Sequence, residues 1–473
     1  MDASKKNIET LERIKTSVRR AYDYFKPNYD RFNEFRRFVF ESSLKDEEIT
    51  LLQALSKPQL EFNILEAYIS RLLGEFSKQE PDIEVSSDDQ AKADPVTLML
   101  VEEHLRHTLL DSSNEHTKYE VYKDLLSGGF SAIKVRTDYA NQMSFDQVIK
   151  IERAFDPTMV GFDQMARFAH KGDGRFCFEL FPMDKEDFKI EYPDVDIDQL
   201  SFRRDFAGFN WSYMNDATET LILADYYEKK KKETVIVKLA TGEVIKKKEY
   251  DKMLATWSDF AAPPAIEGKP RKTMIEHIDR YVVVENQIIK HEETDYSLLP
   301  LVFVDGNSMM IRTPQNSNVR QFTRPYVYHA KGAQRLKNYA GIALANEIEN
   351  VVQHKFIIKK EALPKEQDLL DALKDIHKPS NIVVNACYEN NPEQPIPEPI
   401  REIMKIPAPP EALQAFTGSD SLIQNILGSY DASLGINNNQ LSGIAIVEAA
   451  TQSNAAAMPY IVGYLQGYQR AAQ

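Results

Sequence analysis

A mixed α+β fold divided into more than one substructure is what this sequence predicts, and three observations predict it. Apolar residues recur at helical spacing between residues 1 and 80, as Ile8, Leu11, Ile14 and Val18 and again as Ile64, Ala67, Tyr68 and Leu72. From Phe130 to about Val304 the pattern changes to alternation, the signal of strands, and from Pro325 it returns to helix. At 473 residues the chain is also too long for one ordinary core.

The elements follow in order. A helix is expected from about Val96 to Ser127, with Leu98, Val101, Leu105, Leu109, Val121 and Leu125 on one side. It stops at Gly128-Gly129, residues that tolerate the left-handed backbone of a helix exit. Phe130 to Tyr139 and Gln147 to Arg153 alternate around a polar Asn141-Gln142 turn and can pair as antiparallel neighbours. Asp156-Pro157 then breaks the second strand, because Pro has no N–H for a ladder. Two hairpins are expected, one tipped by Thr241-Gly242 and one by Asn286-Gln287. Leu299 to Val304 reads as a more buried strand, and Ala261 to Pro270 as a loop or lid. Pro325 to Gln353 reads as a long helix rich in small residues, Ala330, Gly332, Ala333, Ala340, Gly341, Ala343 and Ala345, which allow close helix contacts. A strand at Phe356 to Lys359, a short helix at Lys365 to Ile376, a strand at Asn381 to Asn385 and a Pro-rich exit come next. A helix from Glu411 to about Ser433 starts at Pro410, an unperiodic polar loop covers Leu434 to Gln440, and a last helix runs from about Ser442 with Pro459 expected to kink it.

Composition and motifs exclude several classes of function. The longest apolar run, Leu298 to Val304, falls far short of the roughly 20 residues a spanning helix needs, and the first 25 residues carry no apolar signal core, so a soluble, unprocessed protein is expected. Cys177 and Cys387 give no disulfide framework and are read as small buried or half-buried residues. There is no G-x-x-x-x-G-K-[ST] phosphate loop, and Gly172-Asp-Gly174 lacks the third glycine of a dinucleotide site. His104 and His107 lack a completing Cys or Glu-x-x-His and are read as surface residues. Asp194, Asp196 and Asp198 lack the glycine of a calcium loop and are read as solvated acids. Lys229 to Lys232, with Lys238 and Lys246 to Lys248, is read as an exposed hairpin face guarded by lysine. No G-x-S-x-G elbow or local Cys/His pair suggests covalent catalysis. The expectation is a protein that is not an enzyme and holds no metal and no cofactor. The net charge of −14 argues against a broad grip on nucleic acid, which needs Lys and Arg patches.

The order of residues resembles the portal proteins of short-tailed bacteriophages, at several separate places from about residue 60 to the end. Asn63-Ile-Leu-Glu-Ala-Tyr-Ile-Ser-Arg71 with Gly74 and Pro81-Asp-Ile-Glu-Val85 is similar to that family's Asn-headed helix, glycine and "P-x-I-x-V" strand. Gly128-Gly129-Phe130, Thr137-Asp138-Tyr139, Phe155-Asp156-Pro157 and Phe162-Asp163 with Ala166 follow in the family's order. Gln334-Arg335-Leu-Lys-Asn338 is similar to its "Q-R-x-x-N" helix, and Ser442-Gly443-Ile-Ala445-Ile446 to its "S-G-x-A-I". The chain departs from the pattern at Gly161 and Gln164, where the family more often has a larger residue and Pro.

The resemblance implies a portal fold assembling as a closed ring of about twelve copies, giving 12 × −14 = −168 for the ring. It implies a wing of residues 1–325, a first stem helix at 326–356, an α/β clip at 357–410, a second stem helix at 411–433 and a tunnel-type loop at 434–441. A kinked wing helix at 442–473 would then lead toward a crown that is absent or truncated. Stem packing falls to Ala333, Gln334, Arg335, Asn338 and Ala340. Asn437, Asn438, Asn439 and Gln440 would face DNA, and Lys365, Glu366, Asp368, Asn390 and Glu393 in the clip would meet the motor or the adaptor. The implied partners are other copies of the chain, the terminase large subunit, a tail adaptor (head-completion) protein, the major capsid and scaffolding proteins, and double-stranded DNA without sequence preference, with no membrane. The implied place is the portal vertex of the virion, assembled in the host cytoplasm. An acidic wall lets DNA slide, since it offers phosphate no deep electrostatic well. Two other readings stay open: a non-catalytic nucleic-acid-binding scaffold and an uncharacterised hydrolase.

Overall fold

The computed structural model describes residues 2–55, 57–76, 85, 94–112, 115–141, 143–197, 200, 205–206, 209–210, 220–256, 264–294, 296–312, 319–352, 356–367, 370, 384–402, 410–428 and 455–473. They fall into two compact units, one of residues 1–36, 69–326 and 457–473, the other of residues 37–68 and 327–456.

The first unit is built on two antiparallel sheets. Helix α1 (Asp2–Phe40) buries Leu11, Ile14, Val18, Ala21, Tyr29 and Phe32 in its main core. The apolar stripe begins one turn later than expected, because Ile8 stays 59% exposed. The segment read as one helix carries α4 (Pro95–Ser112) and α5 (Glu115–Gly128), which follow α2 (Asp46–Ala54) and α3 (Leu65–Phe76). Val121 and Leu125 are buried as predicted, whereas Val101 lies on the solvent side. Gly129 takes φ +97, and a Cβ there would sit 2.7 Å from the Arg324 carbonyl carbon, so the helix exit needs glycine both for its backbone angle and for space.

Strand β1 (Phe130–Tyr139) leaves that turn and pairs with β2 (Gln147–Arg153), Val135 opposite Ile151, as alternation predicted. Its other edge pairs with β11 (Leu301–Asp305), the buried strand of the sequence reading. Asp156 closes the turn after β2 by accepting the Thr158 N–H at 2.9 Å, with Pro157 at the head of a single 3₁₀ turn.

The second sheet runs β10-β9-β7-β4-β3, with β8 added to β7. Its members are β3 (Val160–Phe162), β4 (Phe176–Asp184), β7 (Thr220–Leu239), β8 (Val244–Lys246), β9 (Ile266–Val284) and β10 (Gln287–Thr294). Helix α6 (Lys185–Glu191) follows β4, α7 (Lys247–Thr256) follows β8, and β5 (Asp205–Phe206) pairs with β6 (Phe209–Asn210). Residues 266–270, expected as loop, are strand instead, because β7 is long enough to pair Leu239 with Ile266. The second hairpin turns at Glu285-Asn286, one residue earlier than predicted, and Gln287 already pairs with Val284. The lysine run is ion-paired across the strands: Lys230 meets Asp279, Lys231 meets Glu276, Lys232 meets Glu293 and Lys238 meets Glu267. Lys231, Lys232 and Lys238 stay more than half exposed, as the exposed lysine face read from the sequence requires.

A buried charge cluster ties the two sheets together. Lys134 of β1 lies 2.6 Å from Glu179 of β4 and 3.1 Å from Asp225 of β7, and Asp225 also meets Arg280 of β9 at 2.8 Å. Burial alone would push the Asp225 carboxyl up; the two cations outweigh it and hold it below the usual carboxylate range. Removing either cation would leave a buried charge uncompensated.

Helix α10 (Met458–Ala472) ends the unit, after α8 (Lys331–Val352) and α9 (Pro410–Leu427) of the other unit. Pro459 was expected to kink a helix interior; it occupies the first turn instead, where the missing N–H costs nothing. Tyr460, Tyr464 and Tyr468 are buried along one side, and Gly463 and Gly467 let the helix lie directly on β11. A Cβ on Gly463 would fall 1.7 Å from the Asp305 carbonyl oxygen. The hairpin of β12 (Ser308–Arg312) and β13 (Val319–Thr323) completes this unit.

The second unit holds α2, the antiparallel pairs β14 (Phe356–Ile358) with β17 (Ile400–Glu402) and β15 (Cys387–Tyr388) with β16 (Asn391–Pro395), and the helices α8 and α9. Helix α8 begins at Lys331, not Pro325, after a 3₁₀ turn at Tyr328–Ala330. Of the strand expected at Asn381 to Asn385, residues 381–383 lie outside the described residues, and Val384 and Asn385 are in neither helix nor strand. Pro392 and Pro395 lie in β16, a two-stranded edge that tolerates a missing donor. Pro410 heads α9 as predicted.

Candidate functional site

The second unit brings together two segments the sequence singled out separately, the Asn63-headed helix and the Gln334-to-Asn338 motif. Phe38, Val39 and Leu65 supply buried apolar side chains. Ahead of α3, residues 61–64 belong to no helix or strand, so their backbone groups need partners from elsewhere. Helix α8 provides them. Gln334, fully buried, donates from Nε2 to the Phe62 carbonyl at 2.7 Å and accepts the Ile64 N–H on Oε1 at 3.3 Å. Asn338, one turn on, accepts the Phe62 N–H at 3.0 Å and the second Gln334 donor at 3.2 Å. The spacing of four residues places both amides on one helix face, where they meet the backbone of Phe62 and Ile64.

The clamp continues into charge. The Asn338 amide donates to the Ser43 hydroxyl, which donates to Glu61 at 2.8 Å, while Ser42 and the Ser43 N–H donate to the same carboxylate. Burial opposes ionisation of Glu61, yet these hydrogen bonds hold its carboxyl below the usual range. A carboxylate that only accepts fixes the direction of every donor in the chain. Asn63 donates to the Val39 carbonyl, and Arg335 reaches Glu48 of α2 at 2.7 Å.

Small residues set how closely α8 and α9 approach. A Cβ on Gly341 would lie 2.2 Å from the Phe62 ring and 3.1 Å from Phe416, and those two rings meet edge to face at 5.0 Å. Lys337, 5% exposed, places its ammonium 4.1 Å from the Phe416 ring centre and 2.5 Å from Asp420 of α9. Ala333 and Ala340 are buried in the same unit. Of the stem residues named from sequence, Ala333, Gln334, Asn338 and Ala340 therefore point into their own chain, and Arg335 is half-buried. The solvent side of α8 carries Gly332, Leu336, Tyr339, Ala343 and Ile348. Beside it lies a groove of about 430 Å³ lined by Leu51, Leu52 and Leu55 of α2 with Tyr339 and Ile342 of α8.

Lys365, Glu366, Asn390 and Glu393 are all exposed, and Lys365 pairs with Glu389. Their frame is held by the Asn385 N–H to the Ala362 carbonyl at 3.0 Å and the Ile396 N–H to the Ala386 carbonyl at 2.8 Å. Asp368 and the loop residues Asn437, Asn438, Asn439 and Gln440 lie outside the described residues. Sequence reading missed Lys337, Phe416 and Asp420; the small residue at Gly341, four after Lys337, was the signal that a ring could stack there.

Helix, strand-bearing segment and returning helix, with the clamp at their base, occur in a sequence that matches the family described as Phage P22-like portal protein over residues 15–473. This chain belongs to that family. No curated protein matches it. As a portal-family protein it is a structural component of the phage capsid. Among the described residues no cluster of His, Cys, Asp or Glu is placed to hold a metal, and no helix is long and apolar enough to cross a membrane.

Proposed function

We propose that copies of this chain close into a ring, twelve in number, that forms the DNA channel at one vertex of the capsid for genome packaging, head-tail joining and ejection. The family match over residues 15–473 carries this reading. In it, residues 1–325 with the last helix form the wing, α8 and α9 the stem, residues 357–410 the clip, and residues 434–441 a loop toward the tunnel. The Gln334 and Asn338 clamp, with Ala333 and Ala340, stiffens each stem from within. Contact with the next copy then falls to the outward side chains Leu336 and Tyr339, in head-to-tail contacts that close when the rotation per copy is right.

The exposed clip residues Lys365, Glu366, Asn390 and Glu393, with Asp368, would dock the terminase large subunit during packaging and a tail adaptor afterwards. Major capsid and scaffolding proteins would hold the wing. Asn437, Asn438, Asn439 and Gln440 would touch duplex DNA through uncharged amides, which bond phosphate weakly and release it. The chain does no chemistry of its own, and assembly takes place in the host cytoplasm. End-on particle images and native mass spectrometry of the full chain test this: an annulus with a central hole supports it, and a permanent monomer refutes it.

A further inference from the structure

In the first unit, a cavity of about 20 Å³ opens among Tyr24 and Tyr29 of α1, Gln164 and Lys171 of the loop after β3, Phe303 of β11 and Gln321 of β13. A water-sized sphere occupies roughly 10–15 Å³, so there is room for one. Two of its lining residues, Gln164 and Gln321, each carry a side-chain Oε1 that is buried and has no hydrogen-bond partner in the protein. The backbone of Gln321 donates its N–H to the Tyr24 hydroxyl at 3.1 Å and accepts from Asn28 at 2.8 Å on its carbonyl. The side-chain Nε2 donates at 3.0 Å to Ser308, whose hydroxyl proton goes to Asp305, so turning the amide over would place two acceptors together.

Lys171 supplies the complementary group. It sits at φ +56, a left-handed backbone uncommon for a residue with a side chain, closed by the Lys171 N–H to the Phe168 carbonyl at 3.0 Å and the Gly174 N–H to the Lys171 carbonyl at 3.1 Å. Its ammonium donates to the Ala166 carbonyl at 3.3 Å, one of the three bonds an ammonium can make.

We propose that this cavity is a binding site for a single water molecule, which donates one proton to Gln164 Oε1 and one to Gln321 Oε1 and accepts from the Lys171 ammonium. The chemistry of the wall selects water over other small ligands. A cation would sit beside an ammonium, and the carboxylate on the wall, Asp163, is already paired with Arg175 at 3.1 Å; an anion would face that carboxylate and two amide oxygens, and an apolar molecule would leave both oxygens unsatisfied. Three polar partners is the usual number for a buried water. The water ties the loop of residues 163–174 to the β12–β13 hairpin, two elements with no pairing of strands between them, and the proposal is independent of the portal assignment.

The test is an experimental map of the full-length protein at a resolution that shows ordered waters. A peak within hydrogen-bond distance of both oxygens supports the proposal. Its absence, a protein partner found on either oxygen, or a peak whose coordination and anomalous signal mark an ion overturns it. Gln164→Leu and Gln321→Leu, each similar in volume to the residue replaced, should each remove the peak while the other glutamine stays in place. A peak unchanged in both variants overturns the assigned partners, and the wild-type map decides the matter even if one variant fails to fold.

Discussion

Replacing Gln334 by Leu isolates what the polar clamp contributes. The volume is nearly kept, but the Phe62 carbonyl and the Ile64 N–H lose their partner at 2.7 and 3.3 Å. An orphaned buried group costs about 1–3 kcal/mol; these are half-buried, so about 1–2 kcal/mol each, or about 2–4 kcal/mol together, is expected. The Asn338 bond to the Phe62 N–H remains, so the segment should loosen without leaving altogether. Hydrogen exchange read by mass spectrometry on peptides covering residues 60–66 should show protection falling by about 30- to 1,000-fold, since each 1.4 kcal/mol is a factor of ten. Exchange in β7 and β9, in the other unit, should be unchanged. A loss below about threefold, or an equal loss in β7, would mean that the amides are not what holds this segment and would refute the reasoning. The double variant Gln334→Leu with Asn338→Leu should cost less than the sum of the two, because the amides also bond each other.

Two glycines of α8 should respond with opposite signs. Gly341→Ala drives a methyl into the Phe62 and Phe416 rings and should lower the thermal midpoint, by about 1–3 kcal/mol of overpacking less the ~1 kcal/mol that alanine returns to a helix, whereas exposed Gly332→Ala meets nothing within 4 Å and should raise it. Asp305, whose carboxyl burial pushes up to about 6, loses stability as pH rises: its contribution is fully present below pH 3.8 and gone above 6. Urea unfolding of wild type against Asp305→Asn should therefore diverge between those pH values by at most about 3 kcal/mol, and parallel curves would show that burial does not disfavour the charge. Tyr339→Glu, on a side chain 63% exposed, should leave unfolding within about 0.5 kcal/mol of wild type while depleting rings in native mass spectra.

What the sequence by itself determined is the local structure whose cause is local. The helix exit at Gly128-Gly129, the limits of β1 and β2, the break at Asp156-Pro157 and the start of α9 at Pro410 follow from backbone angles and alternation, which need no distant partner. The portal-type order of motifs was legible for the same reason, as a string of such signals in fixed succession. Tertiary structure decided everything that depends on which surfaces meet. Residues 266–270 carry loop chemistry, yet they are strand because β7 continues opposite them. Pro459 looks like a kink until its helix is seen to begin beside it. Gln334 and Asn338 could face a neighbouring copy or their own chain, and only the fold, by leaving the backbone at Phe62 to Ile64 without a partner, turns them inward. A polar side chain announces that it needs a partner, but residues some 270 positions apart in the chain become partners only through packing.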